Sequence, residues 1–120
     1  MKTKLEDILN NLEESLIIGD QTFIGEVILN YYMQCSVFGT ITFYAMDFKG
    51  VDFSASTFVN CQIQICDFTK ATFHEDTFLS CDLLEAKFVV SVFSDFKFIE
   101  TKFKKCNLAS MSARSSRVWK

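Results

Sequence analysis

The sequence contains no proline, and its four glycines and single histidine are scattered along 120 residues. Proline would remove a backbone donor wherever the chain pairs laterally, so its absence fits a chain that is hydrogen-bonded between strands along most of its length. Scattered glycines exclude a glycine-rich phosphate loop. The lone histidine, His74, has no second histidine with which to form a zinc or acid–base site. These absences argue against an enzyme.

Long apolar runs are also missing. No stretch of about eighteen apolar residues occurs, so the sequence predicts no membrane span. The N-terminus turns acidic at Glu6 and Asp7, which is wrong for a signal peptide. Five cysteines are too few, and odd in number, for a disulfide framework in a chain of this length. Together these features predict a cytoplasmic protein.

Basic charge is scarce as well. The chain carries 12 lysines and arginines against 15 acidic residues, a net charge of −3. A nucleic-acid-binding domain usually shows a basic patch, and only the last ten residues offer one, through Arg114, Arg117 and Lys120. We therefore expect no direct nucleic-acid binding, no membrane partner and no cofactor.

Phenylalanine, in contrast, is abundant and periodic. From Phe38 to Leu108 a bulky apolar residue falls at every fifth position. All fourteen phenylalanines except Phe96 share this phase, whereas random placement over five phases would put about three of them there. The pattern predicts a core stack of Phe38, Phe43, Phe48, Phe53, Phe58, Phe68, Phe73, Phe78, Phe88, Phe93, Phe98 and Phe103.

A period of five suits neither standard element. In an α-helix five residues advance about 500°, so the phenylalanines would spiral around the axis. In a straight strand they would alternate between the two faces. The chain must therefore change direction every five residues and form a closed coil. The residue two before each centre is mostly small or apolar, as Cys61 and Ala71 are, which predicts a second inward position; Asp76 is a charged exception.

Several units resemble the A(D/N)LXX motif of pentapeptide-repeat proteins. They are Met46-Asp47-Phe48, Val51-Asp52-Phe53, Cys66-Asp67-Phe68, Cys81-Asp82-Leu83 and Cys106-Asn107-Leu108. The resemblance covers residues 36–110 and departs from the motif in preferring Phe at the centre. It implies an all-β solenoid, a right-handed quadrilateral β-helix with four units per coil and just under four coils. Residues twenty apart would then stack in columns.

The remaining segments divide the chain further. We predict an amphipathic capping helix over residues 1–19, a degenerate first coil over 20–35, and a C-terminal tail over 111–120. The helix would begin at Thr3, form a capping box with Glu6, and end at Gly19. Such a helix would hide the open end of the core. Its apolar face would comprise Leu5, Ile8, Leu9, Leu12 and Leu16.

Two groups of residues invite a chemical interpretation. His74-Glu75-Asp76 contains the histidine, but no nucleophile lies at a suitable spacing, so we predict a surface histidine beside a buried carboxylate. Cys61 and Cys81 should stack one coil apart, without the close cysteine pairs of zinc sites. We predict small buried side chains there, and neither a catalytic nor a metal site.

Outward apolar residues are the better functional signal. A vertical row of them on a solenoid requires an explanation that scattered ones do not. The candidate interface comprises Val59, Leu79, Ile99, Leu84, Tyr44, Ile65, Val118 and Trp119. The predicted function is non-catalytic, protein–protein interaction by a rigid repeat scaffold with a partner of unknown identity.

Two alternatives stay open. Similarity to quinolone-resistance members of the family implies a DNA-mimicking protein that binds a type II topoisomerase. Against it, the acidic column of Asp47 and Asp67 is broken by Lys87, and Asp82 is followed by Lys102. The other alternative is a structural module of a longer chain.

The C-terminal end is predicted to expose the edge of the last coil. Either the tail folds back with Trp119 on the core, or two copies meet there as a homodimer. We expect the homodimer, because Met111, Val118 and Trp119 are diluted by serines and arginines and would make a poor lid.

Overall fold

The computed structural model is a parallel β-solenoid with one short helix before it, and it describes residues 4–10, 16–110, 112–114 and 117–119. In the last two of these ranges only the backbone is described. The strands lie in three parallel sheets, with partners twenty residues apart. A quadrilateral β-helix is confirmed.

The chain turns at one residue in every unit. The second residue after each centre has a positive φ throughout the coils, with values from 47° at Glu100 to 62° at Lys70 among the non-glycine residues. The left-handed conformation turns the chain from one face of the solenoid to the next. Glycine, which adopts it most easily, occupies only two of these corners, Gly25 and Gly50. The corner is therefore imposed by the stacking of the coils more than by local preference.

Between corners the chain forms three-residue strands or single bridges. The helix α1 is Leu5–Asn10. The strands are β1 Ile17–Gly19, β2 Thr22–Ile24, β3 Val37–Gly39, β4 Thr42–Tyr44, β5 Thr57–Val59, β6 Gln62–Gln64, β7 Thr72–His74, β8 Thr77–Leu79, β9 Asp82–Leu84, β10 Val92–Ser94, β11 Lys97–Ile99, β12 Lys102–Lys104, β13 Ser112–Arg114 and β14 Arg117–Trp119.

The four faces of the solenoid differ in regularity. The six-stranded sheet runs β1-β3-β5-β8-β11-β14, the five-stranded sheet is β12-β9-β6-β4-β2, and the three-stranded sheet is β13-β10-β7. The fourth side, here called the bridge face, is held by bridges such as Asp47↔Asp67 and Lys87↔Asn107. On it the Asp47 and Asp67 carboxylates accept the N–H groups of Lys49 and Thr69. Such local hydrogen bonds favour a turn over a strand.

The core consists of the two inward positions of each unit. The centres from Phe38 to Phe98 are buried. Most phenylalanines twenty apart stack nearly parallel, although the Phe98 ring is tilted by 58° against that of Phe78. The Phe58 and Phe78 rings are 4.5 Å apart between centroids at 7°. Rings in neighbouring columns meet edge to face, as Phe43 and Phe48 do at 5.2 Å and 90°. Both arrangements are favourable for aromatic pairs. Phe103, predicted in the core stack, is instead 38% exposed because no described strand lies above β12.

The helix α1 contacts the first coil through polar as well as apolar groups. Leu5 and Leu9 are buried against the core. The Glu26 carboxylate accepts the N–H groups of Leu5 and Glu6 at the start of the helix, both at 2.9 Å. At the other end the Tyr31 hydroxyl donates to the Asn10 side chain at 2.7 Å. Glu26 and Tyr31, which stand at inward positions of the repeat in residues 20–35, therefore bind the two ends of the helix.

The structure corrects the predicted extent of the helix. Residues 17–19 form β1, which pairs in register with β3, so the helix does not extend to Gly19. Leu16, predicted on the helix face, is buried at the start of the first coil. Strand pairing and the β-branched Ile17 and Ile18 outweigh the helical spacing of the leucines. The predicted capping box at Thr3 and the position of Leu12 lie outside the described residues.

The structure also corrects the predicted C-terminal tail. β13 pairs with β10, and β14 pairs with β11. Residues 112–114 and 117–119 therefore continue two faces of the solenoid one coil further. Among the residues that the structure describes, no helix is long and apolar enough to cross a membrane.

Candidate interaction surfaces

The outward side of the six-stranded sheet carries a column of apolar side chains. Val59, Leu79 and Ile99 follow one another at the last position of β5, β8 and β11, and each is half-buried by its neighbours. Gly39 and Gly19 continue the column towards the N-terminus and leave its lower part flat. The strand pairing thus makes the predicted row of residues contiguous.

The other predicted interface residues lie elsewhere. Tyr44 and Leu84 belong to one outward column of the five-stranded sheet, but Gln64 separates them. Ile65 is an exposed corner residue with φ of 55°. Val118 and Trp119 lie on β14, next to Phe98 and Ile99 in register, and their side chains are not described. The candidate interface therefore divides into separate surfaces, of which the six-stranded sheet presents the longest apolar column.

The bridge face carries the acidic column considered for DNA mimicry. Asp47 and Asp67 stack, with Lys87 and Asn107 above them. The Lys49 ammonium lies 3.3 Å from the Asp47 carboxylate and 3.8 Å from that of Asp67. A lysine between the two carboxylates weakens the negative potential that a DNA-like surface needs.

Among the described residues, β12 and Asn107 are the last members of their faces at the C-terminal end of the solenoid. Phe103 and Leu108, the centres of the last unit on the five-stranded sheet and on the bridge face, are 38% and 47% exposed. Lys102, Lys104 and Lys105 surround Phe103 and are themselves exposed. At the N-terminal end, in contrast, Leu5 and Leu9 of α1 pack against the core.

Asp76 lies in the core, as the repeat predicted. It is 1% exposed, and one carboxylate oxygen accepts the Ser56 N–H at 2.8 Å. The other oxygen has no hydrogen-bond partner among the described residues. Burial raises the pKa of Asp76 to about 8, since a charged carboxylate loses its hydration there. Asp76 is therefore a neutral acid at pH 7 and exerts little electrostatic force on the surface.

His74 has more neighbours than its sequence suggested. Its Nδ1 lies 2.6 Å from the hydroxyl of Ser94, one coil above, and its Nε2 lies 3.0 Å from the Glu75 carboxylate. Sequence reasoning missed Ser94, although the period of twenty places it directly above His74. The His74 side chain is 45% exposed and that of Glu75 is 65% exposed, so water competes for each contact. The arrangement ties two coils together at the surface.

All five cysteines are free thiols. Four of them occupy inward positions, whereas Cys35 is an exposed corner residue. The thiols of Cys61 and Cys81 each donate to a backbone carbonyl 3.3 Å away, that of Phe38 and Phe58 respectively. Burial raises the pKa of the Cys66 thiol to about 12, so this group is not a nucleophile at neutral pH. Within the described part of the chain, no three His, Cys, Asp or Glu side chains are placed to hold a metal.

Comparison with known proteins identifies the fold. No family model matches the sequence, and no curated protein is significantly similar to it. Among solved structures, a pentapeptide repeat protein, Rfr23, from the cyanobacterium Cyanothece 51142 aligns with a TM-score of 0.57 at 8% identity, covering 88% of each chain.

QnrB1, a plasmid-mediated fluoroquinolone resistance protein, is similar to the same degree. Two trypsin-treated forms of it align with a TM-score of 0.56 at 24% and 22% identity, covering 81% and 82% of this chain. The chain spans about half the length of these QnrB1 structures, 52% and 53%. At these identities the similarity concerns the fold alone. The chain has the fold of pentapeptide repeat proteins, as its sequence predicted.

Proposed function

We propose that this protein is a non-catalytic scaffold that binds another protein through the outward face of its six-stranded sheet. The observation that carries the proposal is the column of Val59, Leu79 and Ile99, which is contiguous over three strands. Contiguous apolar surface of this kind marks interaction sites on proteins. A partner with a flat apolar surface could pack on it without any change in the scaffold.

The rigidity of the sheet supports this function. In the six-stranded sheet, β3, β5, β8 and β11 are each paired with a strand on both sides. The Phe38, Phe58 and Phe78 rings beneath them are stacked. A surface that does not have to be ordered on binding loses little conformational entropy. Threonines at the other outward position, Thr57 and Thr77, add hydroxyl groups beside the apolar column.

The test is a pair of charge substitutions on the column. In Leu79→Glu/Ile99→Glu both side chains point outward, so we expect the fold to persist and partner capture from an extract of the native source to be lost. Val89→Glu is the matched control, because Val89 is a half-buried valine on the bridge face. Equal capture by the wild type and the double variant would reject the proposal.

A second candidate function is binding to a type II topoisomerase. The similarity to QnrB1 supports this candidate, while Lys49 between Asp47 and Asp67 opposes it. The direct test is a gyrase supercoiling assay with and without a fluoroquinolone. Protection or inhibition that Asp47→Asn/Asp67→Asn abolishes would establish this candidate, and we expect no effect at low micromolar concentration.

Self-association through the C-terminal end is a third proposal. Exposed Phe103 and Leu108 support it, whereas Lys102, Lys104 and Lys105 would face their own copies across a two-fold contact. Light scattering distinguishes a monomer from a dimer, because a dimer would have a mass of about 28 kDa, twice the 13.8 kDa of the chain.

A further inference from the structure

The apolar column of the six-stranded sheet, formed by Val59, Leu79 and Ile99, runs between two grooves. On the side where the chain enters β8 and β11, a groove of about 380 Å³ is lined by Glu75, Thr77, Asp95 and Lys97. On the side where these strands end, a groove of about 490 Å³ is lined by Ser80, Asp82, Glu100, Thr101 and Lys102. Each groove therefore holds two carboxylates and one ammonium group, and its net charge is negative.

The carboxylates of the grooves are accessible from outside. The Glu75 and Asp95 side chains are 65% and 54% exposed, and Glu100 is exposed as well. Glu75 and Asp95 contact His74, but within the described part of the chain no lysine or arginine lies within ion-pair distance of these three acids. Each side of the apolar column thus offers negative charge to a cationic group of a partner.

The spacing of the apolar column selects the kind of element that can lie on it. Strands of successive coils lie about 4.8 Å apart, so the three residues span roughly 10 Å along the solenoid axis. In an α-helix, residues at i, i+3 or i+4, and i+7 share one face and span about 10.5 Å. Three residues on one face of an extended strand would span about 13 Å, which does not match. The column therefore fits a helix that runs along the solenoid axis.

A helix also fits the width of the sheet. From the corner at residue 75 to the corner at residue 80 the face spans five residues, at most roughly 17 Å. A helix with its side chains is about 10–12 Å wide, so it lies between the two corners. Residues on either flank of its apolar stripe then lie over the two grooves, within reach of the long side chain of a lysine or arginine.

We infer that the partner of the six-stranded sheet is a basic amphipathic helix of another protein. Its apolar stripe covers the apolar column, and lysines or arginines on both flanks pair with Glu75 and Asp95 in one groove and with Glu100 in the other. An apolar stripe supplies affinity in this mode of recognition, while charge complementarity fixes the register. This inference rests on the proposed function and extends it by naming the structure and charge of the partner.

The experiment uses the full chain and a fluorescein-labelled peptide, Lys-Leu-Ala-Gln-Leu-Lys-Gln repeated three times, in fluorescence anisotropy at low ionic strength. In a helix its lysines flank a leucine stripe and oppose self-association. We expect saturable binding that weakens with added salt, together with a gain of helical circular dichroism. The control peptide repeats Gln-Leu-Lys-Ala-Leu-Gln-Lys, which has the same composition but carries its lysines away from the sheet. It should bind at least about fivefold more weakly.

Substitutions in the protein test the same contacts. Glu75→Gln/Asp95→Asn keeps the shapes of both side chains but removes their charges, and should lower the affinity for the first peptide about fivefold. Asp67→Asn/Glu85→Gln is the matched control, because these carboxylates lie outside both grooves, and should stay within about twofold of the wild type. Lys97→Gln should raise the affinity about twofold, a gain that unfolding cannot produce.

No saturable binding, equal binding of the two peptides, or equal affinity of Glu75→Gln/Asp95→Asn and its control would each overturn the inference. Partner capture with Leu79→Glu/Ile99→Glu tests the proposed function separately. If this variant loses its partner but the peptide does not bind, the sheet is an interaction surface whose partner is not a basic helix. If capture is unchanged, the proposed function fails, and this inference fails with it.

Discussion

The two ends of the solenoid are built from the same repeat but differ in what covers them. In the first coil Phe23 and Ile28 are 1% and 0% exposed, because α1 packs against this end of the core. In the last complete coil Phe103 and Leu108 are 38% and 47% exposed. The central residue of a unit is therefore inward by local geometry, but it is buried only where another element stacks on it.

Acidic residues at the inward position extend this comparison to the middle of the molecule. Glu26 in the first coil accepts two N–H groups of α1. Asp76 in the middle accepts one N–H, and its second oxygen has no described partner. The same repeat position thus holds a carboxylate that stabilises the N-terminal end and another that is destabilising once it is charged.

The largest expected effect is a loss of stability as the pH rises, caused by Asp76. Its pKa is raised to about 8 in the fold, against 3.8 for the unfolded chain. The unfolded state loses its proton first, so Asp76 stabilises the fold fully below about pH 4, and this contribution is lost as the pH rises to about 8. Four pH units correspond to on the order of 5 kcal/mol in the free energy of unfolding.

Urea denaturation of the wild type and Asp76→Asn between pH 4 and pH 9 checks this. The asparagine keeps an acceptor for the Ser56 N–H but cannot ionise. We expect its stability to be nearly flat over the window in which that of the wild type falls. Parallel curves for the two proteins would show that Asp76 is not the group responsible.

The next effect compares a middle ring with an end ring. Phe78 stacks on Phe58, contacts the tilted ring of Phe98 on its other side, and is 1% exposed. Phe78→Ala should cost about 3–5 kcal/mol of the free energy of unfolding, the usual range for a buried phenylalanine. Phe103→Ala should cost clearly less, because water already reaches that ring. Similar losses in the two variants would mean that the last coil is covered in solution.

Sequence alone predicted the repeat and the direction of its side chains. The period of five identified each buried centre from Phe38 to Phe98, and the period of twenty placed Cys61 next to Cys81. The period by itself marks every centre as buried, so it placed Phe103 in the core stack, although that ring is 38% exposed. The prediction of a covering helix rested on residues outside the repeat. The spacing of Leu16 from the other leucines also fitted a helix, so the sequence analysis extended the helix over the residues that form β1.

The C-terminal strands were missed for a different reason. Val118 keeps the phase of the repeat, but Ala113 lacks the bulk that marked the other centres. Similarly, the positive-φ corners have no common residue type, since Thr40, Ile65 and Val90 all adopt the same conformation. Contacts between coils impose both the C-terminal strands and the positive φ of the corners, so neither the strands nor the corners produce a strong local signal in the sequence.

A smaller effect should follow from removing the contacts of the N-terminal cap. Glu26→Ala leaves the Leu5 and Glu6 N–H groups without their acceptor and should cost about 1–2 kcal/mol, as lost helix caps do. Hydrogen exchange should accelerate most in residues 5–10 and little in the middle coils. Tyr31→Phe, which removes only the hydroxyl bonded to Asn10, should have a weaker effect in the same segment. Uniform acceleration along the chain would contradict a local cap.

The smallest expected effect concerns the corners, which are alike in the middle and at the ends. Val90 has φ of 56° and is 47% exposed, and a β-branched residue is strained in this conformation. Val90→Asn should raise the free energy of unfolding by about 0.5–1 kcal/mol, because asparagine tolerates a positive φ without the flexibility of glycine. Gly50→Ala, in the same column, should lower it, since φ is 69° and a Cβ would meet the Asn30 side chain. Val89→Asn is the control, because Val89 lacks a positive φ and gains nothing from asparagine. Urea denaturation of the three variants would reject the strain argument if Val90→Asn were no more stable than Val89→Asn.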